Sequence, residues 1–130
     1  MGGRPQGAVT VDVIDRILRE SRTVAVVGMS PNPHRPSHYV ARYLMEHGYR
    51  VIPVNPVVQE VMGLKSYPDL LSVPTPVDLV DVFRRSEYVA PVVEQAIEIG
   101  ARFLWLQDGV VDHEAARRAR EAGLLVVMDN

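Results

Sequence analysis

The chain has no cysteine among its 130 residues. That excludes disulfides, thiolate nucleophiles and sulfur-ligated metal centres in one step. Lysine is almost absent too: Lys65 is the only one, so arginine carries nearly all the positive charge. That bias fits a GC-rich genome or a hot habitat, and ten prolines lean toward a thermophile. No apolar run approaches the roughly 20 residues that a membrane span needs. Residues 1–7 hold glycine and arginine without an apolar core, so no secretory signal is expected there. A cytoplasmic location is the expectation. A net charge of −2 offers no electrostatic footprint for nucleic acid.

What remains is ordinary globular composition, 47% hydrophobic and 23% charged. A chain of this length fits one domain, burying roughly two thirds of its unfolded surface. The expectation is a single domain over residues 1–130, with residues 1–9 as a flexible end.

The periodicities alternate along the chain. Thr10 reads as the N-cap of a first helix with Val13, Ile14, Ile17 and Leu18 on its apolar face. Residues 22–27 form a continuous apolar run, the pattern of a strand covered on both faces. A second helix opens near Ser37, places Tyr39, Val40, Tyr43 and Leu44 inward, and ends at Gly48. Residues 50–54 form a second strand. Residues 63–67 suggest a short third, with a helical turn at residues 68–71. Residues 78–83 form the next strand, residues 86–99 a helix closed by Gly100, and residues 102–106 another strand. Asp112 caps a helix running to Glu121, and residues 124–128 form the last strand.

Strands alternating with helices imply right-handed crossovers and a parallel sheet. The fold class expected is α/β: a doubly wound, Rossmann-like parallel sheet of about five strands with helices on both faces. In such sheets ligands bind outside the carboxyl ends of the strands. Those ends are residues 28–35, 53–56, 83–85 and 107–109.

The first of these ends is the most informative. An apolar strand stops at Gly28, a loop follows, and a helix begins. Free N–H groups and the helix dipole make such a junction suited to phosphate. Ser30 and Asn32 offer hydroxyl and amide groups, Arg35 can pair with a phosphate, and Ser37 reads as a cap. A dinucleotide fingerprint would place glycines where this loop has Ser30 and Pro33. It would also want an acid after the second strand, where Asn55 stands between Pro53 and Pro56. Both departures argue against a nicotinamide or flavin nucleotide.

Three segments carry a family resemblance: Val26-Val27-Gly28-Met29-Ser30-Pro31-Asn32, Pro53-Val54-Asn55-Pro56 and Asp81-Val82-Phe83-Arg84-Arg85. Arg35-Pro36-Ser37-His38 and Leu104-Trp105-Leu106-Gln107-Asp108-Gly109 extend it over nearly the whole chain. On these the chain resembles the small CoA-binding proteins related to the N-terminal domain of the succinyl-CoA synthetase alpha subunit. The resemblance implies coenzyme A as cofactor, with CoA or an acyl-CoA as the ligand. It implies that Gly28, Met29, Ser30, Asn32 and Arg35 line the phosphates. Pro53, Asn55 and Pro56 would lie beside the adenosine, and Phe83 and Arg84 beside the pantetheine or a phosphate.

No catalytic constellation stands out. His34 and His38 have helical spacing, but Pro36 between them argues against a metal face, so no metal site is expected. Asp78 and Asp81 lie three apart on a strand and face opposite sides, which suits strand-end hydrogen bonding. The expected function is a non-catalytic CoA-binding or acyl-CoA-binding protein with a regulatory role and a homodimeric or protein partner. A nicotinamide-dependent oxidoreductase and a small acyl-CoA transferase are the competing classes.

Overall fold

The structure, a computed structural model, describes residues 6–128. Seven strands and four helices follow in the order α1 (Gln6–Glu20), β1 (Thr23–Val27), α2 (Pro36–Glu46), β2 (Arg50–Val54), β3 (Glu60–Val61), β4 (Leu64–Lys65), β5 (Leu79–Val82), α3 (Val89–Glu98), β6 (Phe103–Leu106), α4 (His113–Glu121) and β7 (Leu125–Met128). Five strands make one sheet in the order β2-β1-β5-β6-β7, and every neighbouring pair is parallel. The doubly wound α/β architecture expected from the sequence is the architecture observed.

β1 explains why its sequence does not alternate. Val24 and Val26 join the apolar cluster beneath α1 and α2, while Ala25 and Val27 join the cluster beneath α3 and α4. Each face of the strand is covered, so every position from Val24 to Val27 is apolar. Ile17 of α1, Ala41 and Leu44 of α2 and Phe103 of β6 fill the first layer. Val89, Val93 and Ala96 of α3 and Ala115, Ala116 and Ala119 of α4 fill the second. Burying a side chain such as Phe103, 1% exposed, contributes about 1.5–3 kcal/mol.

Several expectations are corrected. Thr10 lies inside α1, not at its cap. A cap preference is worth about 1 kcal/mol, and Ala8 upstream is a strong helix former. Of the flexible end expected over residues 1–9, residues 1–5 lie outside the described residues, and Gln6 onward is helical. Ser37 is not the cap of α2. Pro36 takes the first helical position, and a proline holds the residue before it extended. Arg35 is therefore the cap residue, at φ −84° and ψ 143°.

The strand expected over residues 63–67 is a hairpin apart from the main sheet. Met62 and Gly63 both have positive φ, at 55° and 76°, and turn β3 back on β4. Two such residues in succession make the two-residue turn that suits strand twist. Tyr67, after β4, reaches the main sheet by bridging Val54. The helical turn after it is a 3-10 turn at Leu70–Ser72, capped by Asp69, which accepts from the Ser72 N–H at 2.8 Å. The helix expected over residues 86–99 divides into a 3-10 turn at Ser86–Tyr88 and then α3.

Asp78 performs the strand-end bonding expected of it. Its carboxylate accepts from the N–H groups of Arg22 at 2.8 Å and Thr23 at 3.0 Å. One side chain thus ties the start of β1 to the start of β5. We predict that Asp78→Ala costs about 1–3 kcal/mol, because two strand-start donors lose their acceptor. Urea unfolding followed by circular dichroism measures this, and the change should appear in the midpoint.

Candidate functional site

The chain crosses from β1 by α2 to β2 on one side, then returns to β5 on the other. β1 and β5 are therefore the switch point, where successive loops diverge and leave a crevice. Gly28 follows β1 and Phe83 follows β5. The two loops meet closely: the Gly28 N–H donates to the Val54 carbonyl at 2.8 Å, and the Phe83 N–H donates to the Val27 carbonyl at 2.9 Å. Gly28 has φ +85°, and a Cβ there would lie 3.2 Å from the Phe83 carbonyl carbon and oxygen and 3.0 Å from Arg84 Cδ. Only glycine combines that dihedral with that approach.

Two clefts flank this contact. On the α2 side a cleft of about 600 Å³ is lined by Gly28, Ser30, Arg35, Tyr39, Phe83 and Gln107, among others. On the α3 side a smaller one of about 200 Å³ is lined by Val54, Pro56, Leu70, Arg84, Tyr88 and neighbouring residues. Gly28 with Phe83 and Val27 with Arg84 stand back to back, so the glycine is the low point between the clefts.

The loop over residues 28–35 is held from within. The Ser37 hydroxyl, buried in α2, accepts from the Ser30 N–H at 2.9 Å. The Ser30 hydroxyl accepts from Asn32 N–H at 3.0 Å, and the Asn32 carbonyl oxygens accept from His34 and Arg35. These bonds make the loop stiff before any ligand arrives. No side chain caps α2, and Arg35 at the cap position is exposed beside the α2-side cleft. Among the described residues Arg35 has no carboxylate partner.

The residues singled out from the sequence divide. Gly28, Ser30, Arg35, Ser37 and Phe83 come together on the α2 side, while Arg84 and Pro56 face the α3-side cleft. Arg84 lies over the Tyr88 ring with 4.6 Å between guanidinium carbon and centroid. Such a contact holds the guanidinium at the rim. Met29 is fully buried in the α1–α2 layer, so only its backbone borders the loop. Asn55 is a clamp: its amide donates to the Met29 carbonyl at 3.0 Å, and its side-chain oxygen accepts from Val57 N–H at 2.8 Å. Asn32 stays exposed at the loop's outer turn. Pro53 is buried and lines a separate hollow outside β2, with Tyr49 and Thr75.

Three residues at this edge were not singled out as site residues. Tyr88 and Leu70 follow elements whose ends are hard to place from sequence. Gln107 is the third, and it donates through its side-chain amide to Asp81. Asp81 is not at a strand end; it sits within β5, 3% exposed, paired in register with Val26 and Trp105. Burial pushes its carboxyl up to about 7, and the Gln107 hydrogen bond pulls the other way.

A family model described as a CoA binding domain matches residues 22–130. The chain is 42% identical over 116 residues to the uncharacterized protein YneT of Bacillus subtilis, a match over 89% of this chain and 86% of that one. A hypothetical protein from Pyrococcus horikoshii OT3 superposes with a TM-score of 0.90 at 42% identity, covering 98% of this chain and 89% of the other. The apo form of the dinucleotide forming acetyl-coenzyme A synthetase 1 from Ca. Korarchaeum cryptofilum superposes with a TM-score of 0.74 at 29% identity. That match covers 87% of this chain but 27% of the synthetase chain.

Two outcomes follow from the geometry at this edge. Gly28→Ala should destabilise by about 1–3 kcal/mol, since the dihedral is strained and the Phe83 backbone cannot move aside. Thermal unfolding reads this, with Gly100→Ala, whose added Cβ meets nothing within 4 Å, as the lesser effect. The second outcome concerns Asp81. Below pH 3.8 its carboxyl is neutral folded or unfolded; between 3.8 and about 7 only the folded state keeps the proton. Stability then falls as pH rises, by about 1.4 kcal/mol per unit, and about 4 kcal/mol is lost across the window. Asp81→Asn has no such proton. The stability difference between variant and parent, from urea unfolding, should move in the variant's favour by about that amount between pH 4 and 8.

Proposed function

This chain belongs to the CoA binding domain family, and from that premise we propose that it binds coenzyme A or an acyl-CoA at the carboxyl edge of its sheet and performs no reaction alone. The observation that carries the reading is the close contact of Gly28 with Phe83, flanked by a cleft on each face. A diphosphate laid across Gly28 meets no side chain from below. Its charge faces the uncapped start of α2, where the dipole favours an anion by about 0.3–1 kcal/mol. Arg35 at the cap supplies a charge-assisted bond worth about 1.5–3 kcal/mol. Arginine therefore contributes more than the helix.

The two clefts suit the two ends of such a ligand. The α3-side cleft is narrow and mostly apolar, with Leu70, Pro56 and the Arg84–Tyr88 stack, and suits the adenine ring. The longer α2-side cleft, with Phe83 and Tyr39, suits the pantetheine arm. In this placement Asn55 acts by holding the loop at Met29, and Pro53 acts only by shaping β2.

A nicotinamide nucleotide suits the edge less well. The residue after β2 is an amide whose side chain is already bonded to Met29 and Val57, so no acid there grips a ribose diol. Isothermal titration with CoA tests the proposal. Arg35→Ala should weaken binding by about tenfold or more while the melting temperature of the free protein stays unchanged. A thermal-shift panel of CoA, acetyl-CoA, NAD, NADP and ATP gives the second arm, since bound ligand raises the melting point. Stabilisation by NADP alone would overturn the proposal in favour of an oxidoreductase.

A further inference from the structure

Asp81 is an expensive residue in an unusual place. It lies on the central strand of the sheet, between Val26 and Trp105, where an aliphatic side chain would pack without penalty. A buried carboxyl needs a hydrogen-bond partner, and the side chain of Gln107 supplies one. Gln107 follows the neighbouring strand β6, two positions beyond Trp105, and stands half-buried in the wall of the α2-side cleft with Phe83.

We infer that Gln107 is a specificity-determining residue of this cleft, and that Asp81 is the positioning residue that fixes which face of its amide the ligand meets. A glutamine amide alone is ambivalent, because rotation by half a turn exchanges its donor for its acceptor. Once ionised, above about pH 7, the Asp81 carboxylate ends that ambivalence, since it can then only accept. The Gln107 Nε2 is drawn to Asp81, and the Oε1 carbonyl is left for the cleft. The main chain beneath it is fixed as well: Gln107 N–H donates to the Val82 carbonyl at 3.1 Å and its own carbonyl accepts from Val110 N–H at 2.9 Å. The wall next to Phe83 therefore offers a fixed acceptor. It recognises ligands that bring an N–H donor and disfavours those with only acceptors, such as an ester at the same place.

This inference rests on the reading of the site as one for coenzyme A, whose pantetheine arm carries two secondary amides. The donor class is what the geometry adds. The cost of leaving a buried acceptor or donor unmatched is what makes such a residue discriminate.

The test compares two ligands that share the nucleotide and differ in the arm: CoA and adenosine 3′,5′-bisphosphate. Titrations are run at about pH 8.5, where a carboxyl titrating near 7 is ionised. Gln107→Leu should weaken CoA by about tenfold and leave the bisphosphate unchanged. Asp81→Asn keeps the shape but lets Gln107 point either way, so CoA should weaken by about threefold, again with the bisphosphate unchanged. A role confined to folding would lower both affinities together, and equal losses for both ligands would overturn the inference. So would unchanged CoA affinity in both variants while the parent protein binds CoA. A parent protein that binds neither ligand overturns the coenzyme A reading itself, and this inference with it.

Discussion

The contact of Gly28 with the backbone of Phe83 is the constraint on which the rest of the site depends. It exists because β1 and β5 pair in parallel, with Val27 opposite Val82, and because both strands end at the same height. The next residue of each strand then turns away toward a different face. A side chain at position 28 would force those turns apart, and the two clefts would no longer meet over a low point. Asp78 secures the other end of the same pair of strands, so β1 and β5 are fixed in register from both sides. The shape of this edge is thus a consequence of strand pairing, with the loops as its outward expression.

The fold was legible because each of its main elements rests on a periodic signal longer than its uncertainty. The apolar run of β1 and the Asp112 cap of α4 are where the residues place them. What was not legible depended on single residues at boundaries. Pro36 moved the start of α2 upstream of Ser37 by its ring alone. Met62 adopts a positive φ that its own side chain disfavours, so nothing local announces the turn between β3 and β4. Such turns are set by the hairpin they close.

The site divides along the same line. Gly28 and Arg35 line one cleft, as a strand, glycine, loop and helix that follow one another in the chain would place them. Asn55 was read as a ligand contact, and the structure uses it to hold Met29 twenty-six positions away. Gln107 and Asp81 meet from neighbouring strands, and their bond is visible only when β6 is laid beside β5. Strand parity set Asp78 and Asp81 on opposite faces but said nothing of how deeply Asp81 would be buried.

A net charge of −2 stands in apparent conflict with the phosphate-rich ligand proposed for this edge. The range of the interaction removes it. At physiological ionic strength charges are screened within about 8 Å, so the sum over the molecule matters less than what stands at the rim. The acidic residues of α1 and α4 are largely occupied: Glu20 with Arg16 and Arg102, and Glu114 and Glu121 with Arg117. These pairs are exposed and contribute little stability each, but they cancel charge far from the crevice. Arg35 and Arg84 are left at the rim without carboxylate partners among the described residues. Arg35 and Arg84 thus bring positive charge to the crevice, where Asp108 and Asp69 are the carboxylates in the walls of the two clefts.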